Sequence, residues 1–231
     1  MTEMQQNEGN TRGGDKKMLI AMSVIGIICA FFIVITYQGT LGIITKNRAE
    51  ALNKAVYKVI PGISRIQPYS LSKDKSFSVV GPDDKSQQKV FAGYDSTGTL
   101  KGIAIQASGK AYGEVLSLLY GYSPAEQKII GFYVLESKET PGIGDKIEIP
   151  PFLDNFKGLD VSVRDDLSGL KNPITTVKQG KKTKGWEIDG ITGATITSRG
   201  VGNILNTSAG EWMPLICKNK KSFEMQNTEK K

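Results

Sequence analysis

The stretch Asp189-Gly-Ile-Thr-Gly-Ala-Thr195-Ile-Thr197-Ser198 gathers hydroxyls, glycines, an alanine and one acid where a helical pattern begins. Glycines let a backbone turn left-handed and let another molecule approach closely. A helix N-terminus adds unpaired N–H groups and a partial positive charge, conditions that suit a phosphate. Thr195 places a secondary alcohol at that point. The competing reading is structural, because runs of Asp, Thr and Ser also cap helices. A second stretch, Gly131 to Lys146, is an apolar strand that runs into Glu139-Thr140-Pro141-Gly142-Ile143-Gly144. Pro141 fixes one backbone angle, and Gly142 and Gly144 release the next ones. Such a loop can lie flat against a planar ring and offer it N–H groups. An ordinary strand-to-helix turn is the alternative.

Composition excludes several chemistries. The chain has no histidine, which removes histidine-ligated haem, histidine-ligated zinc and a Ser-His-Asp triad. Its two cysteines are too few for an iron–sulfur cluster held within one chain. Cys29 lies in an apolar segment and Cys217 near the other end, so an internal disulfide is not expected. Gly200-Val-Gly202 lacks the third glycine of a dinucleotide fingerprint and falls within a helical pattern, and no phosphate-loop signature occurs. No catalytic residue, metal site, NAD site or ATP site is therefore predicted. Redox chemistry would have to come from an organic cofactor, and a flavin fits that gap. The net charge of +7 is spread over scattered lysines, with clusters at 178–184 and after Lys218. A solvated basic surface, attracted to anionic lipid or an acidic partner, accounts for it better than a nucleic-acid site.

Both stretches resemble motifs of one family. The first is similar to the flavinylation motif Asp-Gly-x-Ser/Thr-Gly-Ala-Thr of the G subunit of the Rnf electron-transport complex. The C subunit of the sodium-pumping NADH:quinone reductase shares that motif. Asp189, Gly190, Thr192, Gly193, Ala194 and Thr195 fill every specified position. The second resembles the family's Glu-Thr-Pro-Gly-Leu-Gly loop, with Ile143 in place of leucine and Ser137 where members often carry histidine. The resemblance runs from the N-terminal anchor to about residue 218. It implies that Thr195 carries FMN through a phosphoester, placed there by a separate Mg-dependent flavin transferase that takes FMN from FAD. Asp189, Gly190, Thr192, Gly193 and Ala194 would serve recognition and close approach, while Glu139, Thr140, Gly142 and Gly144 would lie near the ring. Lys178, Lys181, Lys182 and Lys184 could neutralise the phosphate, although a solvated basic loop is the simpler account of them.

The function implied is electron relay between protein partners in an ion-translocating oxidoreductase, with no complete catalytic cycle in the isolated chain and no direct NAD binding. The segment Asp145–Glu148 and the modest length point to the Rnf-type protein over its NADH:quinone reductase counterpart. The other classes left open are a stand-alone membrane-anchored FMN reductase and a non-redox binding module in which the motif only caps a helix.

The elements that must position these residues follow from hydropathy. No charged side chain occurs between Lys17 and Lys46, and the almost wholly apolar run from Met18 to Tyr37 matches the roughly 20 residues that span a bilayer. It lacks a good cleavage site, so an uncleaved single anchor at 18–37 is expected. Flanking charges leave orientation open. The family resemblance implies a cytoplasmic N-terminus in the bacterial inner membrane and an extracytoplasmic FMN domain. A polar, mobile tail is expected over 1–17, a linker and helix over 38–60, an FMN-binding domain over 61–218 and a charged disordered tail over 219–231. Ala49, Leu52, Ala55, Val56 and Val59 give the helix, ended by Pro61-Gly62. A poorly patterned stretch follows to Gln88. Val90–Tyr94 with Leu100–Ala107, and Val115–Tyr122 with Ile129–Leu135, predict successive hairpins and an antiparallel sheet. A short helix at 152–156, strands near 159–163 and 174–177, and a long helix from Thr195 to about Cys217 complete an α+β domain. Gly200, Gly202 and Gly210 are expected to weaken that last helix.

Overall fold

The computed structural model describes residues 8–81, 84, 88–113 and 115–224. Residues 1–7 of the expected polar tail and 225–231 of the expected charged tail lie outside them. The chain forms two compact units, Met1–Glu50 and Ala51–Lys231. In the first, helix α1 (Glu8–Val59) begins its course, and it is long and apolar enough to cross a membrane. The helix covers residues expected as tail at 8–17 and as linker after Tyr37. No proline interrupts the sequence between Glu8 and Val59, so nothing forces the backbone out of helical geometry.

The second unit is built on a seven-stranded antiparallel sheet in the order β2-β1-β3-β4-β5-β6-β7. Its strands are β1 (Arg65–Leu71), β2 (Phe77–Val79), β3 (Lys89–Tyr94), β4 (Leu100–Lys110), β5 (Val115–Ser123), β6 (Lys128–Glu136) and β7 (Leu159–Asp160). Helix α2 (Pro150–Leu153) is followed by the short parallel pair β8 (Thr175–Val177) and β9 (Glu187–Asp189), which leads into α3 (Thr195–Lys218). The hairpins β3–β4 and β5–β6 form as expected, with continuous buried runs at residues 102–105 of β4 and 118–123 of β5. Strands β1 and β2 fall within the stretch expected to be irregular. Pro68 breaks the strand signal of β1, but β2 pairs only Tyr69 to Leu71, so Pro68 sits where that edge ladder has ended.

The sheet is covered on both faces. On one, α3 buries Val201, Ile204, Leu205, Ala209 and Met213 against Val90, Ile105, Leu118 and Tyr120. Trp212 joins them only partly buried. The phenol of Tyr120 meets the Ser208 hydroxyl at 2.8 Å within this core. Tyr120→Phe should therefore cost about 1 kcal/mol and lower the melting midpoint by roughly 2–4 °C, read by thermal denaturation; an unchanged midpoint would show the pair to be neutral. Gly200 and Gly202 of α3 have a packing reason, whereas a Cβ at Gly210 would meet nothing within 4 Å. A Cβ at Gly200 would lie 2.8 Å from the Ala111 Cα, and one at Gly202 would lie 2.2 Å from Thr176 Oγ1. Their helix-weakening tendency is offset by close contact with the hairpin and with β8.

The other face receives the last turns of α1, where Ala55, Val56, Val59 and Ile60 pack with Ala104 and Leu119. The expected boundary at residue 61 therefore separates residues that share one core. The boundary at 218 shifts for the same reason. Phe223 is fully buried, packs at a tilt against Tyr69 and Phe77 at centroid distances of 4.9 and 4.8 Å, and its carbonyl accepts the Tyr94 hydroxyl at 2.8 Å. Residues 219–224 are thus ordered, anchored by one apolar side chain within a charged stretch.

Candidate functional site

The motif Asp189–Thr195 forms the turn between β9 and α3. Asp189 closes β9, where its backbone N–H donates to Asn155 Oδ1 at 2.8 Å and its carbonyl accepts from Asn155 Nδ2 at 3.1 Å. Its carboxylate accepts the N–H groups of Gly180 at 2.9 Å and Lys181 at 3.3 Å. Asp189 therefore shapes the basic loop. Gly190 is needed for space, since a Cβ would lie 2.7 Å from the Val177 carbonyl. The N–H of Thr192 donates to Gln179 Oε1 at 3.0 Å. Gly193 has φ +87°, a left-handed turn that glycine adopts without strain. Ala194 follows as the helix N-cap and supplies no side-chain cap.

The cap reading of the motif thus finds no side-chain cap. The hydroxyls of Thr197 and Ser198 are committed inward. Thr197 donates to Glu139 Oε2 at 2.7 Å. Ser198 Oγ donates to the Ala194 carbonyl at 2.9 Å and accepts the Ile191 N–H at 3.1 Å. Thr195, by contrast, is exposed at the first position of a 24-residue helix. The first-turn N–H groups there lack intrahelical acceptors.

Thr195 opens onto a cleft of about 490 Å³, lined by Tyr112, Glu139, Thr140, Ile143, Gly144, Gly193, Ala194, Thr195, Ile196 and Thr197. Of the residues expected to bind, the cleft brings together Thr195, Gly193, Ala194, Glu139, Thr140 and Gly144. Asp189, Gly190, Thr192 and Gly142 do not line it, and neither do Lys178, Lys181, Lys182 or Lys184. The loop after β6 turns on Thr140, whose carbonyl accepts from the N–H of Ile143 and of Gly144 at 3.1 and 2.9 Å. Gly142 has φ +77°, and its N–H is held by Asp145 Oδ2 at 2.9 Å. Gly144 has a different reason to be glycine, because a Cβ would lie 2.6 Å from Glu139 Cβ. Ser137, at the position where relatives of the loop often carry histidine, accepts the Glu139 N–H at 3.2 Å.

Sequence reasoning missed the apolar rim. Tyr112 is 63% exposed, Ile196 56% and Ile143 49%, an aromatic and two aliphatic side chains facing one opening. Nothing near Tyr112 in the sequence marks it, because its place depends on the β4–β5 turn reaching α3. Asn155 was missed for the same reason, lying beside Asp189 only through the fold.

The basic loop has its own support. Glu187 accepts the N–H groups of Thr183 at 2.8 Å and Lys184 at 3.0 Å, and these bonds hold its carboxyl below the usual range. Partial burial lowers the Lys182 ammonium, opposed by the charges of Asp189 and Glu187. Because the folded pKa of Glu187 is depressed, its contribution is complete above the ordinary glutamate value and is lost as pH falls through the folded one. The amides of Thr183 and Lys184 should keep their hydrogen-exchange protection through the ordinary glutamate range and lose it only as pH falls through the depressed folded value; loss of protection near neutrality would contradict the assignment.

The volume lies within the ~300–1,000 Å³ common for small-molecule and cofactor sites. An open, apolar-rimmed cleft with an exposed alcohol at a helix N-terminus fits a flat aromatic group bearing a phosphate.

Residues 111–209, which include the hairpin tip, the Glu139 loop and the Thr195 turn, match the FMN-binding domain family. The G subunit of the ion-translocating oxidoreductase complex of Methanosarcina acetivorans is 28% identical over 192 residues, covering 83% of this chain and 91% of that protein. The corresponding G subunit of Buchnera aphidicola is 32% identical over 156 residues, covering 65% and 69%. Among solved structures, the C subunit of the Na(+)-translocating NADH-quinone reductase of Parabacteroides distasonis has a TM-score of 0.53 at 22% identity, covering 79% of this chain and 97% of that one, a likeness of fold.

Proposed function

This chain belongs to the family of G subunits of ion-translocating oxidoreductase complexes, and from that membership we propose that it relays electrons through FMN esterified to Thr195. The observation that carries the proposal is the exposed Thr195 hydroxyl at the start of α3, opening onto the apolar-rimmed cleft. Other hydroxyls of the turn are less suited, since those of Thr197 and Ser198 are committed to Glu139 and Ala194.

FMN supplies one- and two-electron transfer when bound. The chain's own residues would hold it. The N-terminal N–H groups of α3 would stabilise a phosphoester on Thr195. Tyr112, Ile143 and Ile196 would give a planar ring its apolar contacts, whereas the N–H groups of Gly142, Ile143 and Gly144 are engaged by Asp145 and Thr140 and so hold the loop's own shape. The attachment point lies far from the ring, so it serves retention, while noncovalent contacts tune the ring. No base sits beside Thr195 in the sequence except Asp189, whose carboxylate is engaged by Gly180 and Lys181. Esterification therefore falls to a separate flavin transferase. The Thr195 Oγ–P bond forms as the pyrophosphate bond of FAD breaks, AMP leaves, and the hydroxyl proton passes to a base of that enzyme.

We further propose that α1 spans the bacterial inner membrane with its N-terminus cytoplasmic, in contact with membrane lipid, and that the FMN domain works beside other subunits of the complex on the extracytoplasmic side. The apolar stretch Met18–Tyr37 carries no ionisable group other than Cys29 and the Tyr37 phenol, which argues against an ion path through this protein. Purification from native membranes tests the reading. Co-isolation with multispanning subunits, together with one FMN on the peptide containing Thr195, supports it. An isolated protein that turns over a soluble acceptor rapidly would replace the relay with a stand-alone reductase.

A further inference from the structure

We propose that Glu139 is a positioning residue: its carboxylate ties the β4–β5 hairpin tip to the first turns of α3 and thereby holds Tyr112 as a wall of the cleft. The inference rests on the reading that the cleft takes FMN, although the brace itself is a property of the protein alone.

Glu139 is 8% exposed, and both of its oxygens are occupied. Oε1 accepts the backbone N–H groups of Tyr112 and Gly113, each at 3.1 Å. Oε2 accepts the hydroxyl of Thr197, which is itself 3% exposed, at 2.7 Å. Three separate segments meet on one carboxylate: the hairpin tip, the loop after β6 and the start of α3. A carboxylate with three donors has little capacity left for a ligand, so its role differs from the direct contact with a ring that its position in the loop motif suggests.

The spacing on α3 fits this division. At about 100° per residue, Thr195 and Thr197 point to different sides of the helix. Thr197 faces the protein and receives the brace, while Thr195 faces out. At the hairpin the backbone of Tyr112 is fixed through its N–H while its ring remains exposed. Gly113 and Gly144 leave room for the arrangement, since a Cβ on either would lie 3.1 Å from the Lys138 carbonyl or 2.6 Å from Glu139 Cβ.

Two conservative variants separate geometry from charge. In Glu139→Gln the amide oxygen can accept from Tyr112 and Gly113, and the amide N–H can donate to Thr197, whose own hydroxyl then turns to a carbonyl one helical turn back. Glu139→Asp keeps the charge on a side chain one methylene shorter, which cannot reach the hairpin tip and α3 together. The full-length chain is co-expressed with a flavin transferase and purified in detergent, and intact mass is read first. Wild type without an adduct would sink the FMN reading but leave the brace testable, because amide exchange at Tyr112 and Gly113 is measured on flavin-free protein. In Glu139→Asp, exchange at these two amides should rise about 30-fold, with a fall in flavin fluorescence anisotropy wherever the adduct is present. In Glu139→Gln both quantities should stay near wild type. Gln as disruptive as Asp would show that charge matters more than reach, and an undisturbed Asp variant would show that no brace exists. Either result overturns the proposal.

Discussion

Thr195→Ala is expected to yield a folded protein with no flavin, its mass that of the bare chain even after co-expression with a competent transferase. Thr195 is exposed, so removing its hydroxyl and methyl should change stability by no more than about 0.5 kcal/mol. The chemical effect should instead be total, because alanine offers no oxygen to phosphorus. Thr195→Ser should recover part of the adduct, since it keeps an alcohol at the same helical position and lacks only the methyl group. Peptide mapping should place one FMN, less one water, on the wild-type peptide that contains Thr195. Visible absorbance should report the same loss independently. If wild-type protein from native membranes carries no adduct there, the exposed alcohol is incidental and the relay loses its cofactor on this chain. If Thr195→Ala retains a full adduct, another hydroxyl is the acceptor. Thr192 would be the first to examine, because it is exposed and belongs to the same turn.

Much of this arrangement is legible in the sequence, and the limits have physical causes. The hairpins β3–β4 and β5–β6 announce themselves through apolar runs on either side of turn residues, and α3 through its apolar spacing. Strand β1 hides because Pro68 and a polar composition mask a ladder that depends on β3 for pairing. Phe223 hides because a lone aromatic among lysines has no period, and only the fold supplies Tyr69, Phe77 and Tyr94 as its neighbours. At the site, Thr195 and the Glu139 loop stand out as contiguous motifs. Their division of labour does not. Asp189 and Glu139 are both acids in motifs that suggest ligand contact, yet one holds the basic loop and the other holds the hairpin tip. Side-chain direction, which tertiary contacts decide, separates those roles, and sequence spacing does not carry it. The same holds for Gly142 and Gly144. One serves a left-handed turn and the other a close approach.

The largest loss of stability should come from a single methyl group at Gly131. Gly121 of β5 and Gly131 of β6 lie directly opposite each other in the sheet. A Cβ would lie 2.2 Å from the Val59 carbonyl oxygen at Gly121 and 2.3 Å from it at Gly131. The end of α1 therefore rests backbone to backbone on this pair, with Val56, Val59 and Ile60 fully buried around it. A side-chain obstacle could rotate away, but a helix carbonyl moves only with its helix. Gly131→Ala must lift the last turn of α1 from the sheet or bend β6. Either route should cost about 3 kcal/mol, the upper part of the range for overpacking. The melting midpoint of the second unit should fall by roughly 6–12 °C. Gly142→Ala is an instructive control, because its Cβ would meet nothing within 4 Å and only its φ of +77° is strained. That change should cost about 1–2 kcal/mol. A Gly131→Ala variant that melts with wild type would show that the α1 terminus is not seated on the sheet. A steep loss would fix these last turns as part of the flavin domain's core, because only a helix end that folds with the sheet can transmit the strain of one added methyl to the whole unit.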